Sequence, residues 1–177
     1  MKLFGEEHSE TADSYHAAGV TQHSLSDYTA VLESAKRALD IRIKLFGEEH
    51  PKTADSYHAI GVTQHSLSDY TAALGSAKRA LDIRIKLFGE EHPKTAESSF
   101  SVGVTQHSLS DYTAALESAK RALDFRVKMF GGEHSLTAVS YHLVGSIQHS
   151  LSDYTAALES HKRALDIRIK LFGKNIH

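Results

Sequence analysis

Apolar residues recur along this chain in paired segments of helical spacing. From Thr53 to about Ser66, the residues Ala54, Tyr57, Gly61, Val62 and His65 fall on one three-and-four pattern. The stretch Leu67, Ser68, Asp69, Tyr70 interrupts it, and Ser68 or Asp69 is placed to cap a second helix. That helix, longer than the first, is predicted from about Tyr70 to Phe88, with Ala73, Leu74, Ala77, Ala80, Leu81, Ile83, Ile85 and Leu87 as its apolar stripe. Pro51 suits a first helical position, and Gly89 supplies a stop.

This helix pair is one copy of a 42-residue unit that occurs four times. The copies that start at Thr11 and Thr53 differ at three positions only, Ala18/Ile60, Val31/Ala73 and Glu33/Gly75. A period of that size signals a stacked array, because a single pair cannot bury its own apolar face. The expected organisation is one array: the end of a preceding unit over residues 1–8, then units over approximately 9–50, 51–92, 93–134 and 135–177. The chain starts and stops within the repeat pattern, so a piece of a longer array is expected.

Small residues mark where helices meet. Gly19, Gly61, Gly103 and Gly145 recur in the first helices, and Ala38, Ala80, Ala122 and Ala164 in the second. A glycine inside a helix is a penalty unless close approach needs it, so the two helices of each pair are predicted to cross there. Tyr28, Tyr70, Tyr112 and Tyr154 open the second helices and are expected to wedge between neighbours.

The pairing of Tyr and Gly in the first helix, Asp-Tyr at the turn and Ala with Ala-Leu in the second resembles a tetratricopeptide repeat. The run from Lys78 to Arg84 followed by Gly89, Glu90, Glu91, His92 and Pro93 is similar to the 42-residue repeats of kinesin light chains. The resemblance spans essentially the whole chain. It implies an all-α right-handed superhelical solenoid, with first helices lining a concave groove and second helices on the convex back. It also implies a protein-protein interaction scaffold that binds a peptide or partner segment in the groove. Light chains carry an asparagine pair where this chain has His58-Ala59, Phe100-Ser101 and His142-Leu143.

The implied groove stripe is Asp13, His16, Val20 and His23 in unit one, and Asp55, His58, Val62 and His65 in unit two. It continues as Glu97, Phe100, Val104 and His107, then Val139, His142, Ser146 and His149. Steps of three and four keep each quartet on one helix face. Three readings of this ladder stay open. It is a copied, solvated surface; a peptide groove preferring cationic or aromatic side chains; or a His-based metal or pH-responsive module. Within one helix His16 and His23 are two turns apart, roughly 10 Å, too far to share one zinc ion.

His8, His50, His92 and His134 form a separate set before the first helices and read as structural, cap-like residues. His161 replaces the alanine found at 35, 77 and 119 and is expected to strain the last unit or be tolerated there. Ser99 replaces a tyrosine present at 15, 57 and 141, so either Phe100 fills part of that volume or a cavity remains.

Composition narrows the function classes. The 177 residues carry a formal charge of -2, which gives no general pull toward nucleic acid or anionic membrane. There is no cysteine, which removes disulfides and thiol chemistry and fits a cytoplasmic setting. No apolar run is long enough to span a membrane. No phosphate loop, thiol or His-Glu-x-x-His motif occurs, so no enzyme, cofactor or metal is expected. The exposed charges read as solvated helix faces, with i,i+4 pairs Lys78–Asp82 and Asp82–Lys86, and glutamates 33, 117 and 159 pairing with the arginine four residues on. The terminal apolar faces, Tyr15 with the Leu3-Phe4 stub at one end and Leu165, Ile167, Ile169, Leu171 and Phe172 at the other, predict head-to-tail self-association or a swapped dimer.

Overall fold

The computed structural model describes residues 8–24 and 27–173, and their side chains except those at 16, 20 and 22–24. Leu3 and Phe4 lie outside the described residues. Among the described residues, eight helices form four pairs, an all-α solenoid of paired helices: α1 (Ser9–Ser24) with α2 (Tyr28–Phe46), α3 (Pro51–Ser66) with α4 (Tyr70–Phe88), α5 (Pro93–Ser108) with α6 (Tyr112–Phe130), and α7 (Ser135–Ser150) with α8 (Tyr154–Phe172). The chain divides into two compact units, Met1–Gly89 and Glu90–His177. Within the first, α2 packs against both α1 and α3, and α3 against α4. Within the second, α6 packs against both α5 and α7, and α7 against α8.

Local chemistry sets most of the described helix boundaries. Asp69 caps α4, its carboxylate accepting from the Ala72 amide at 3.2 Å, and Asp27, Asp111 and Asp153 repeat the device. Ser68 has a different task. It sits at φ 61°, the left-handed position that closes α3: its amide donates to the His65 carbonyl, while the Asp69 amide reaches back to Gln64. Ser110 and Ser152 do the same at φ 63°. The loop histidines are N-caps: Nδ1 of His50 and of His92 accepts from the amide two residues on at 3.2 Å, and His134 caps α7 likewise. Phe46 stacks on the His50 ring at 4.5 Å, and Phe130 on His134 at 4.6 Å.

The pairs cross at their glycines. A Cβ on Gly61 would lie 3.2 Å from the Ala77 amide nitrogen, and one on Gly103 would lie 3.1 Å from that of Ala119. Gln64 and Ser76 bridge the same crossing, the serine hydroxyl donating to the amide oxygen at 2.7 Å, as Ser118 does to Gln106. The second-helix stripe is buried at Ala73, Ala77, Ala80 and Ile83, whereas Leu87, in the last turn of α4, is exposed. In the second unit, Ala115, Ala119 and Leu123 of α6 join Val144 and Ile147 of α7 in one core, with Tyr112 packed against it, whereas Tyr154 at the start of α8 is exposed and wedges into no such core.

The reading of helix charges as solvated faces does not extend to one recurrent position. Arg42, Arg84 and Arg126 are buried, because the guanidinium is taken between helices where fixed acceptors replace water. Lys86 turns to Glu49 on the loop before α3, and Lys128 to Glu91 at 2.8 Å, so these lysines bridge elements. The i,i+4 pairs Glu33–Arg37 at 2.9 Å and Glu117–Arg121 at 3.7 Å form as expected.

Candidate functional site

The first-helix stripe is built by the caps just described. His50 and Pro51 start α3 so that Asp55, His58, Val62 and His65 share a face. Asp55 accepts from the Arg84 guanidinium at 2.9 Å. His58 and His65 are half-buried, and Val62 between them is exposed. The His65 ring lies 5.0 Å from that of Tyr70, and burial pushes its pKa below the ordinary histidine value.

In α1, Asp13 binds Arg42 at 3.0 Å and Lys52 at 3.2 Å. The Arg42 hydrogen bond, then that of Lys52, holds its carboxyl below the usual range. The side chains of His16, Val20 and His23 lie outside those described, although all three residues belong to α1. In α5, Glu97 is exposed. The Phe100 ring packs under the Arg126 guanidinium at 4.4 Å, while Ser99 is buried without a ring. A cleft of about 340 Å³ opens there, lined by Glu97, Phe125, Arg126 and Leu136 among others. His107 shares a 3.0 Å hydrogen bond with Ser150 and packs on Tyr112. In α7, Val139 is exposed, and His149 meets the edge of Tyr154 at 5.2 Å.

His142 faces His161 at 5.1 Å between ring centroids. The His161 ring fits over Gly145, within 2.9 Å of where a Cβ would stand, so the last pair accommodates its substitution at the bare glycine. Burial first, then the His161 and Arg168 charges, lowers the His142 pKa.

The arginines are the residues that sequence reasoning missed. Arg42 donates to Asp13 on the preceding first helix, and to Ser56 at 2.7 Å and the Lys52 carbonyl at 3.3 Å on the next. Arg126 makes the same pair of bonds to Ser140 and the Leu136 carbonyl. The signal was present: an acid at 13, 55 and 97 recurs with an arginine at 42, 84 and 126. The acids that read as free groove charge at 13 and 55 are thus engaged in ion pairs. Among the described residues, no three His, Asp or Glu side chains are grouped to hold a metal ion, and no helix is long and apolar enough to cross a membrane.

Known proteins show the same architecture. The nearly identical TPR-like repeats of a Podosopora anserina protein assigned as a kinesin light chain are 18% identical, with a TM-score of 0.80 over 96% of this chain and 81% of that one. BtubC (BKLC) from P. vanneervenii is 20% identical, with a TM-score of 0.87 over 98% of this chain and 68% of that one. The apo form of RapI is 19% identical, with a TM-score of 0.84, and the match covers 98% of this chain and 60% of RapI. At such identities the likeness is one of fold. No curated protein sequence matches the chain. Family models described as tetratricopeptide repeat match residues 32–86 and 67–128, and residues 11–52 and 137–175. The chain belongs to the tetratricopeptide repeat family.

Proposed function

We propose that the chain is a non-catalytic protein-protein interaction scaffold whose first-helix faces bind an extended segment of a partner protein. The observation that supports this reading is the exposed Val62, flanked on one stripe by the half-buried imidazoles of His58 and His65. Methyl groups beside ring faces suit an aromatic or aliphatic side chain of a ligand, and the imidazoles supply hydrogen bonds. A lysine or arginine on the ligand would have to compete with Arg84 for Asp55 and with Arg42 for Asp13. Aromatic anchors are therefore favoured over cationic ones. The cleft beside Glu97 gives a second place for such a side chain.

The test is a peptide-display screen against the full chain at neutral and mildly acidic pH. The expected result is an enriched motif with an aromatic anchor, whose binding is lost in Val62→Asp and weakened in His58→Ala while helicity is retained. A screen without enrichment, or a motif that binds both variants as tightly as the parent chain, overturns the reading.

A further inference from the structure

The two compact units build the same seam with one charge exchanged. In the first, α1, α2 and α3 meet around Asp13, whose Oδ1 accepts from Arg42 at 3.0 Å and whose Oδ2 accepts from Lys52 at 3.2 Å. The Lys52 ammonium also lies 5.7 Å from the centre of the Phe46 ring, so a carboxylate and an aromatic ring hold it together. Two repeats further on, the corresponding residues of α5, α6 and α7 are Glu97, Arg126, Phe130 and Leu136. The acid, the arginine and the ring are kept, and of these four only the lysine has changed its chemistry. Arg126 keeps the bonds to the serine hydroxyl and the carbonyl of the next first helix, but its guanidinium packs on Phe100 at 4.4 Å instead of donating to the acid. Glu97, Phe130 and Leu136 line the cleft of about 340 Å³ described above, with Arg126 also in its wall. Phe130 and Leu136 are 38% and 39% exposed, so an incoming side chain can reach both.

We infer that this cleft takes a lysine side chain of the bound partner segment, its ammonium set between Glu97 and the Phe130 ring as the chain's own Lys52 is set between Asp13 and Phe46. The inference rests on the interaction-scaffold reading above and adds the chemistry of one ligand residue. A lysine can lay its aliphatic stem along Leu136 and Pro93 and keep its charged head at the rim. A carboxylate that already serves one cation can serve a second, since Asp13 gives one oxygen to each. An aromatic anchor remains the better fit at the stripe around Val62, where Asp55 is held by Arg84. At Glu97 the order is reversed, because the first unit seats an ammonium at the matching place. Positive neighbours limit the affinity. Arg126 stands in the wall, as Arg42 stands beside Lys52. Lys94 also lines the cleft, and the residue at its place in the first unit is Glu10. An incoming ammonium thus meets one repulsion that Lys52 does not, so a single lysine binds weakly and gains from the rest of the segment.

Blocked single residues test the cleft apart from the stripe. Nα-acetyl-lysine amide, Nα-acetyl-norleucine amide and Nα-acetyl-glutamate amide are titrated into the full chain, and NMR follows the Leu136 methyl and Phe130 ring signals. The lysine probe is expected to shift both saturably and to bind more tightly than the other two. Glu97→Gln should weaken it by roughly two- to fivefold, the worth of an exposed ion pair. Lys94→Glu, which installs the acid of the first unit, should tighten it. Leu136→Lys, followed at Phe130, should abolish it, because the chain's own ammonium then fills the place. None of the three positions is buried, and circular dichroism checks that helicity is kept. The probes carry no anchor for the Val62 stripe, so a lysine preference can fail while the display screen succeeds, and the reverse. No saturable shift, a norleucine probe that binds as tightly as lysine, or a Glu97→Gln chain with unchanged affinity overturns the inference. A glutamate probe that binds more tightly than lysine, or a Lys94→Glu chain that binds lysine less tightly, overturns it as well and assigns the cleft to carboxylates on Arg126.

Discussion

Arg42 lies 29 residues after Asp13 in sequence and 3.0 Å from it in space. Its other nitrogen reaches Ser56 at 2.7 Å, 14 residues further on. One buried side chain thus ties two successive first helices through the second helix between them. A solenoid needs such seams, because each pair contacts only its neighbours and stability grows by interface terms.

Replacing Arg42 by alanine is therefore expected to cost about 2 kcal/mol, since the hydroxyl of Ser56 and the Lys52 carbonyl lose a charged donor in a buried seam. Arg168→Ala removes the equivalent guanidinium where it is exposed, and it is expected to change stability by less than about 0.5 kcal/mol. Urea unfolding of both variants at low protein concentration checks the difference. Equal effects would mean that the seam bonds add nothing.

The four glycines of the first helices have unequal neighbours, and substitution reads this directly. A Cβ at Gly103 would stand 3.1 Å from the Ala119 nitrogen and 3.3 Å from the Ala115 oxygen, both backbone atoms of the partner helix. Gly103→Ala is expected to destabilise by about 1–3 kcal/mol through forced separation of α5 and α6. Gly75 on α4 has nothing within 4 Å of its would-be Cβ. Gly75→Ala is expected to stabilise by roughly 1 kcal/mol through helix propensity alone. Thermal unfolding of the two variants should move in opposite directions, and a shared direction would refute the packing argument.

Much of this fold was legible because its determinants are local. Pro51, Asp69 and Gly89 are caps whose chemistry acts within one turn, and they bounded α3 and α4 as observed. The glycine crossings were legible because their recurrence at one phase had no other use. Arg42, Arg84 and Arg126 were not, because each sits in a run rich in Lys, Arg and Asp that reads as a solvated face. Their burial depends on acceptors supplied by other helices, which no local pattern contains. The same limit applies to Asp13 and Asp55, free acids in sequence and ion-paired in space. The replacement of Ala by His161 was legible as an oddity, but its fit over Gly145 is a three-dimensional fact.

The histidine caps make a third prediction. Nδ1 of His50 accepts from the Lys52 amide, and Phe46 stacks on the ring. His50→Ala removes acceptor and stack together and is expected to cost about 1 kcal/mol. His50→Asn restores an acceptor and should recover most of the loss. Urea midpoints of the pair decide it: if asparagine is no better than alanine, the cap bond is not what the histidine supplies.

Acid should loosen the α3–α4 and α7–α8 pairs before it touches the Asp13–Arg42 seam. The His142 pKa is lowered by burial, by His161 and by Arg168, and that of His65, packed on Tyr70, by burial. An unfolded histidine titrates near pH 6.5, roughly. Below that pH the unfolded chain takes protons that the folded chain resists, so stability is full above it and falls as pH falls. Asp13 acts in a lower window. Its folded pKa lies below the ordinary 3.8, so its contribution persists until pH drops through that range. His161→Ala restores the residue of the other units and removes one cause of the His142 shift. Its imidazole should then titrate at a higher pH than in the parent chain, and the loss of stability on mild acidification should be shallower. An NMR titration of His142 in both chains measures the first, and urea midpoints across the same pH range measure the second. A His142 that titrates no lower than a histidine in an unfolded peptide, or a midpoint that rises on acidification, would contradict the burial and charge argument from which the direction was drawn.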